Sequence, residues 1–147
     1  YMTNRLISTT DRFAAAVTQR NLCNLATSYG TGDMGFVTGK EDFTTMSRML
    51  KERVKSRTTT LRLVDRIRTP LLILHGTADY RCSFEQGEQL FIAMKERNPK
   101  VPVRFVAFPG ENHGLTRTGR PAAQRAHLQE MADWFVKYLF EEKEEAR

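Results

Sequence analysis

The run Pro70-Leu71-Leu72-Ile73-Leu74-His75, closed by Gly76, constrains this chain more than any other segment. Its unbroken apolar succession lacks the alternation of a strand with one wet face and is too short for a typical helix. A strand covered on both sides, as in the interior of a parallel sheet, has this composition. A helix is predicted next, from about Phe84 to Arg97, with Gly87, Leu90, Phe91 and Met94 on its inward stripe. Ser83 and Gln86 have the spacing of a capping box at its start. Val101 to Phe108 reads as a further strand, ended by Pro109-Gly110. Pro121 suits the first turn of a last helix, whose apolar face is read as Leu128, Met131, Ala132, Phe135 and Leu139, with His127 on the exposed side. Acidic residues from Glu141 to Glu145 oppose the dipole at its end and predict fraying. Strand, helix, strand, helix predicts the α/β class, as a three-layer α/β/α arrangement around parallel strands.

The first half is less sharply marked. Tyr1 to Ser8 reads as the end of a helix, and Phe13 to Thr18 as a short buried strand. Gly30, Gly32, Gly35 and Gly39 make Asn21 to Lys40 a loop-rich stretch. Glu41 to Lys55 is predicted helical, with Phe43, Met46, Leu50 and Val54 on one face.

Composition narrows the functional classes. A chain of 147 residues is long enough for one domain with a real core, and its 40% hydrophobic and 27% charged content is that of a globular protein. No apolar run approaches the roughly 20 residues of a membrane span, and no secretion signal is visible. Cys23 and Cys82 are the only cysteines and have no metal-ligand spacing, so a reducing cytoplasm is the expected compartment. The net charge of +6 has one source. Arg48, Lys51, Arg53, Lys55, Arg57, Arg62, Arg66 and Arg68 face only Glu52 and Asp65, while the rest of the chain balances. The stretch contains no aromatic residue with which to stack bases, so a solvated or partner-facing surface is expected rather than a nucleic-acid site.

In open α/β sheets chemistry gathers beyond the carboxyl ends of the strands. Two loops qualify, Gly76–Cys82 with Asp79 and Pro109–Thr118 with His113. A carboxylate that orients an imidazole is what a hydrolase triad requires, and acid followed by histidine is the α/β-hydrolase order. The residues alone leave a plainer reading open, since an Asp in a turn commonly caps backbone donors and a loop His can be inert.

The segments TPLLILHGTADYRCSFEQGEQLF, FPGENHGLTRTGRP and MADWFVKYL resemble the prolyl oligopeptidase family of serine peptidases, most of all its acylaminoacyl-peptidase branch. The resemblance implies that Asp79, in HGxxDxR, is the catalytic acid and that His113, in ENHG, is the catalytic base. YMTNRLISTTDRFAAAVTQR resembles the stretch that follows the family's nucleophile elbow. Residues 1–147 are therefore expected to be the carboxyl-terminal portion of an α/β-hydrolase domain, with the serine, its oxyanion donors and any β-propeller ahead of Tyr1. Ser8, Ser28, Ser47, Ser56 and Ser83 all lack the elbow glycines. The implied substrate is a short peptide, acylated peptide or ester, and no cofactor or metal is implied. The chain alone is expected to be inactive and to need the amino-terminal part of the same protein.

Lesser candidates surround this pair. Cys82 could be proposed as a thiol nucleophile but reads as a small packing group. His75 is expected to support the acid loop and Arg81 to form a structural ion pair. Asn21 to Tyr29 would line the acyl or side-chain pocket on the resemblance. The alternative to an enzyme is a hydrolase-fold binding or assembly module, with an open sheet edge favouring a homodimer.

Overall fold

The computed structural model describes residues 1–33 and 59–141. The predicted helix over 41–55 and the basic residues from Arg48 to Arg57 lie outside the described residues. Three strands, β1 (Ala16–Gln19), β2 (Leu71–Gly76) and β3 (Val103–Phe108), form one sheet in the order β1-β2-β3. Both pairings are parallel, Ala16 opposite Leu71 and Leu71 opposite Val103. The apolar run therefore becomes the central strand, and every residue of β2 is buried.

Its side chains alternate between two cores, as the pleat requires. Leu71 and Ile73 join Ile7, Cys23, Val64, Ile67, Leu90 and Met94 on one face. There α1 (Met2–Ile7), a 3₁₀ segment (Thr60–Arg66) and α3 (Glu85–Arg97) cover the sheet. Leu72 and Leu74 join Phe108, Leu115, Trp134 and Tyr138 on the other face. That face is covered by α4 (Leu115–Thr118) and α5 (Pro121–Val136), which continues into a π-type turn over Lys137–Glu141. The result is three layers.

Four local expectations change. β1 begins at Ala16, not Phe13, because its ladder starts where Ala16 N–H donates to Pro70 C=O; Phe13 lies before that point and is exposed. Part of the predicted loop after Asn21 is helical, α2 (Leu25–Thr31), since the Asn24 side chain accepts from Ala26 N–H and caps it. The buried stripe of α5 is His127, Trp134 and Tyr138 with Met131 beside them, while Leu128 and Ala132 are exposed. The two aromatic residues outweigh the smaller aliphatic set and turn the helix by about one position. His127, expected on the outside, consequently packs against the Phe108 ring, centroids 5.7 Å apart.

The capping box is the fourth. Ser83 Oγ pairs with Thr31 Oγ1 at 2.8 Å, and α3 has no side-chain cap. Gln86 instead turns inward and is wholly buried. Its Oε1 accepts from Cys23 N–H at 3.0 Å and Asn24 N–H at 2.9 Å, and its Nε2 donates to Thr27 Oγ1. One amide thus ties the segment after β1 to the start of α3, on the rim where the strands end.

Candidate active site

The loops that carry Asp79 and His113 leave β2 and β3 side by side. Thr77 N–H donates to Phe108 C=O at 3.0 Å and Ala78 N–H to Glu111 C=O at 2.9 Å. Thr77 Oγ1 accepts from Gly110 N–H at 2.8 Å. Gly76 permits this closeness, because a Cβ there would stand 2.2 Å from the Glu111 carbonyl oxygen. A methyl group at that position would push the loops apart.

Across this seam His113 Nδ1 lies 2.9 Å from Asp79 Oδ2 and 3.1 Å from Oδ1. The structure therefore brings together the two residues singled out in the sequence. The Asp79 carboxylate is buried, while the His113 side chain is about one-third exposed, at 34%. Asp79 Oδ1 also accepts from Arg81 N–H and Cys82 N–H, each at 3.0 Å, so the carboxylate closes its own turn. His75 Nε2 sits 2.8 Å from Cys82 C=O and 3.5 Å from Asp79 Oδ2. Both neighbours only accept, so the His75 ring proton resides on Nε2. Its Nδ1 is buried without a hydrogen-bond partner and faces Gly87, where a Cβ would stand 2.9 Å away.

Burial of Asp79 works to raise its carboxyl. Hydrogen bonding from His75, the Cys82 N–H and His113, together with the His113 charge, outweighs burial and holds the carboxyl below its ordinary value. With a carboxylate facing Nδ1, the His113 tautomer carries its proton on Nδ1. Nε2 then presents a lone pair and has no protein partner among the described residues, the arrangement of a proton acceptor oriented from behind.

The His113 loop is held by residues that sequence reasoning passed over. Glu111, in the same ENHG segment, is buried and accepts from Arg120 Nε at 2.6 Å. Arg120 also donates to Pro109 C=O. Arg20, at the end of β1, donates from Nη1 to His113 C=O at 3.2 Å. Glu111 stands in the ENHG segment beside His113, a signal visible in the sequence; no local signal marks Arg20.

The other candidates fall elsewhere. Arg81 pairs through Nε with Asp33 at 2.6 Å, a half-exposed ion pair, while its backbone N–H donates to Asp79. Cys82 is half-buried, and burial followed by the Asp79 charge pushes its thiol up, opposite to what a thiolate nucleophile needs. Ser8 Oγ donates to Arg5 C=O, and Ser83 is engaged by Thr31. Ser47 and Ser56 lie outside the described residues. Asn24 and Ala26 line a cavity of about 330 Å³, but they share it with Thr59, Leu61, Arg62 and Arg97, not with Asp79 or His113. Among the described residues no group of three or more His, Cys, Asp and Glu side chains could hold a metal ion. No helix among them is long and apolar enough to cross a membrane.

A buried carboxylate and a partly exposed imidazole thus meet in the loops that follow two adjacent parallel strands. The family model described as the prolyl oligopeptidase family, peptidase S9, matches residues 1–142. The chain belongs to the prolyl oligopeptidase family. An uncharacterized peptidase of Bacillus subtilis, YuxL, is 38% identical over 140 residues, covering 95% of this chain and 21% of that protein. The acylamino-acid-releasing enzyme of Arabidopsis thaliana is 29% identical over 151 residues, covering 94% of this chain and 18% of that enzyme. The chain thus spans about a fifth of the length of these curated relatives.

The crystal structure of Pyrococcus horikoshii acylaminoacyl peptidase superposes with a TM-score of 0.82 at 25% identity, over 95% of this chain and 22% of that one. An esterase of Pyrococcus furiosus shares the fold at 17% identity and a TM-score of 0.63, over 92% of this chain and 49% of the esterase. The parallel sheet and its flanking helices are those of the α/β-hydrolase fold.

Proposed function

We propose that this chain supplies the acid and the base of a serine peptidase that hydrolyses short or acylated peptides, as an acylaminoacyl peptidase does. Asp79 holds the His113 imidazole by Nδ1. His113 Nε2 takes the proton of a serine hydroxyl as that oxygen attacks the scissile carbonyl carbon. The tetrahedral intermediate then collapses, the C–N bond breaks, and His113 returns the proton to the leaving amine. Water repeats the sequence on the acyl-enzyme and frees the serine. Asp79 remains ionised throughout and stabilises the imidazolium that forms twice in each turnover.

The observation that carries this reading is the contact of His113 Nδ1 with both oxygens of a buried carboxylate, at 2.9 and 3.1 Å. Family membership supports a serine as nucleophile, and on this reading that serine and the oxyanion donors belong to a segment ahead of Tyr1. Residues 1–147 then form part of a hydrolase domain and are inactive alone. The two free thiols fit a reducing, cytoplasmic location.

The test is the full-length product of the gene, assayed with N-acetylalanine p-nitroanilide beside its Asp79→Asn and His113→Ala variants. Asp79→Asn is expected to lower kcat by about 10⁴-fold, through loss of the correct tautomer. A His113→Ala variant that turns over at the wild-type rate would remove the base from the mechanism. Hydrolysis by the purified 147-residue chain alone would overturn the assignment of the nucleophile to a preceding segment.

A further inference from the structure

Arg20 is the non-glycine residue with positive φ among the described residues, at 49°. A long side chain is strained in this left-handed region, and such strain persists where the surroundings impose it. Arg20 directly follows the last residue of β1. Its N–H donates to Leu74 C=O at 3.1 Å, extending the pairing with β2 by one step before the chain leaves the sheet. The side chain then reaches from the end of β1 to the loop after β3, where Nη1 donates to His113 C=O at 3.2 Å. It therefore links the end of β1 directly to the loop that carries His113.

The base loop has separate anchors on either side of this contact. The carbonyl of Glu111 is held by Ala78 N–H and its carboxylate by Arg120, while Gly114 N–H is held by the Asn112 side chain. His113 itself is tied to the remainder of the fold by its ring, to Asp79, and by its carbonyl, to Arg20. The Asp79 bond leaves the imidazole free to pivot about Nδ1. A second tie on the backbone of the same residue restrains the Cα from which the ring hangs and, together with the Asp79 bond, narrows where Nε2 can point.

We infer that Arg20 is a positioning residue for the proposed base, its guanidinium fixing the His113 backbone so that Nε2 is held toward the reacting serine. The inference rests on the reading of His113 as base. A purely architectural role for position 20 makes the opposite forecast, because glycine adopts positive φ without strain.

The experiment compares Arg20→Gly, Arg20→Met and Arg20→Lys in the full-length protein, measuring Tm together with kcat and KM for N-acetylalanine p-nitroanilide. Arg20→Gly is expected to keep or raise Tm while kcat falls about 10- to 100-fold, the scale of a small misplacement of a reacting group, with KM nearly unchanged. Arg20→Met should lose a similar factor, and Arg20→Lys should recover part of it through its remaining donor. Wild-type kcat in both Arg20→Gly and Arg20→Met would overturn the inference, as would losses of kcat that only follow losses of Tm. A wild-type protein without hydrolytic activity would instead overturn the reading of the site, and this inference with it.

Discussion

His75 and His113 approach a single carboxylate oxygen from two sides: Asp79 Oδ2 lies 2.9 Å from Nδ1 of His113 and 3.5 Å from Nε2 of His75. The inner imidazole also donates to Cys82 C=O, so it holds both the acid and the turn that presents it. Glutamine can place an N–H where Nε2 stands, whereas leucine fills the space and leaves the Cys82 carbonyl without its donor. His75→Leu should therefore cost about 1–3 kcal/mol of stability and lower kcat, with His75→Gln recovering most of both. Urea unfolding and initial-rate kinetics on the two variants check this, and equal losses would show that shape, not the N–H, is what matters there.

Gly76 is the tightest approach between the two loops. A Cβ would meet the Glu111 carbonyl at 2.2 Å, and the obstacle is backbone, which cannot swing aside as a side chain would. Gly76→Ala is expected to destabilise by about 3 kcal/mol, at the upper end of overpacking penalties, and to widen the Asp79–His113 contact. Gly30, inside α2, meets nothing within 4 Å and serves as the control. Gly30→Ala should be neutral or stabilise by about 0.5 kcal/mol, so paired thermal melts distinguish a crowded glycine from an incidental one.

Gln86 offers a sharper stability test than its position suggests. Removing its amide strands the N–H groups of Cys23 and Asn24, both of which it satisfies from a buried position. Gln86→Leu should cost about 2–4 kcal/mol, one to two unsatisfied buried donors. Hydrogen exchange at residues 23 and 24 should accelerate more than exchange in β2.

Stability should fall on the acid side in two separable steps. Burial first, and the Arg20 charge second, hold His127 below its ordinary value of 6.5. As pH drops through 6.5 the unfolded chain takes up a proton that the folded chain refuses, so stability present above that value is lost toward the lower folded value. The Asp79 carboxyl is held below 3.8, so its contribution is present above 3.8 and lost as pH falls through its folded value. His127→Phe, which keeps a ring against Phe108, should reduce the loss between about pH 7 and pH 5 relative to wild type. Urea midpoints across that range read the difference, and identical slopes would contradict it.

The parts of the fold legible in the sequence are those where burial leaves few options. Leu71 to Leu74 are wet on neither side, and that composition permits little besides a central parallel strand. Asp79 and His113 follow the ends of adjacent strands, so topology brings together two residues that the HGxxDxR and ENHG segments mark separately. What escaped is tertiary. Ser83 and Gln86 have capping spacing, yet Gln86 turns inward because two backbone N–H groups from another segment arrive there. Aliphatic spacing points to a stripe through Leu128 and Ala132, whereas Trp134 and Tyr138 supply the larger surface and face the sheet. Arg20 carries no local sequence signal, because both its left-handed backbone and its partner across the sheet depend on the assembled rim.

The order of strand pairing also has a kinetic meaning. β2 and β3, with α3 between them, carry the acid and base loops within one stretch that is compact in sequence. β1 must find β2 across a much longer connection, and closing that larger loop costs more chain entropy before any contact compensates. Chain entropy therefore favours pairing β2 with β3, and with it the approach of Asp79 and His113, before β1 brings Arg20 to the rim.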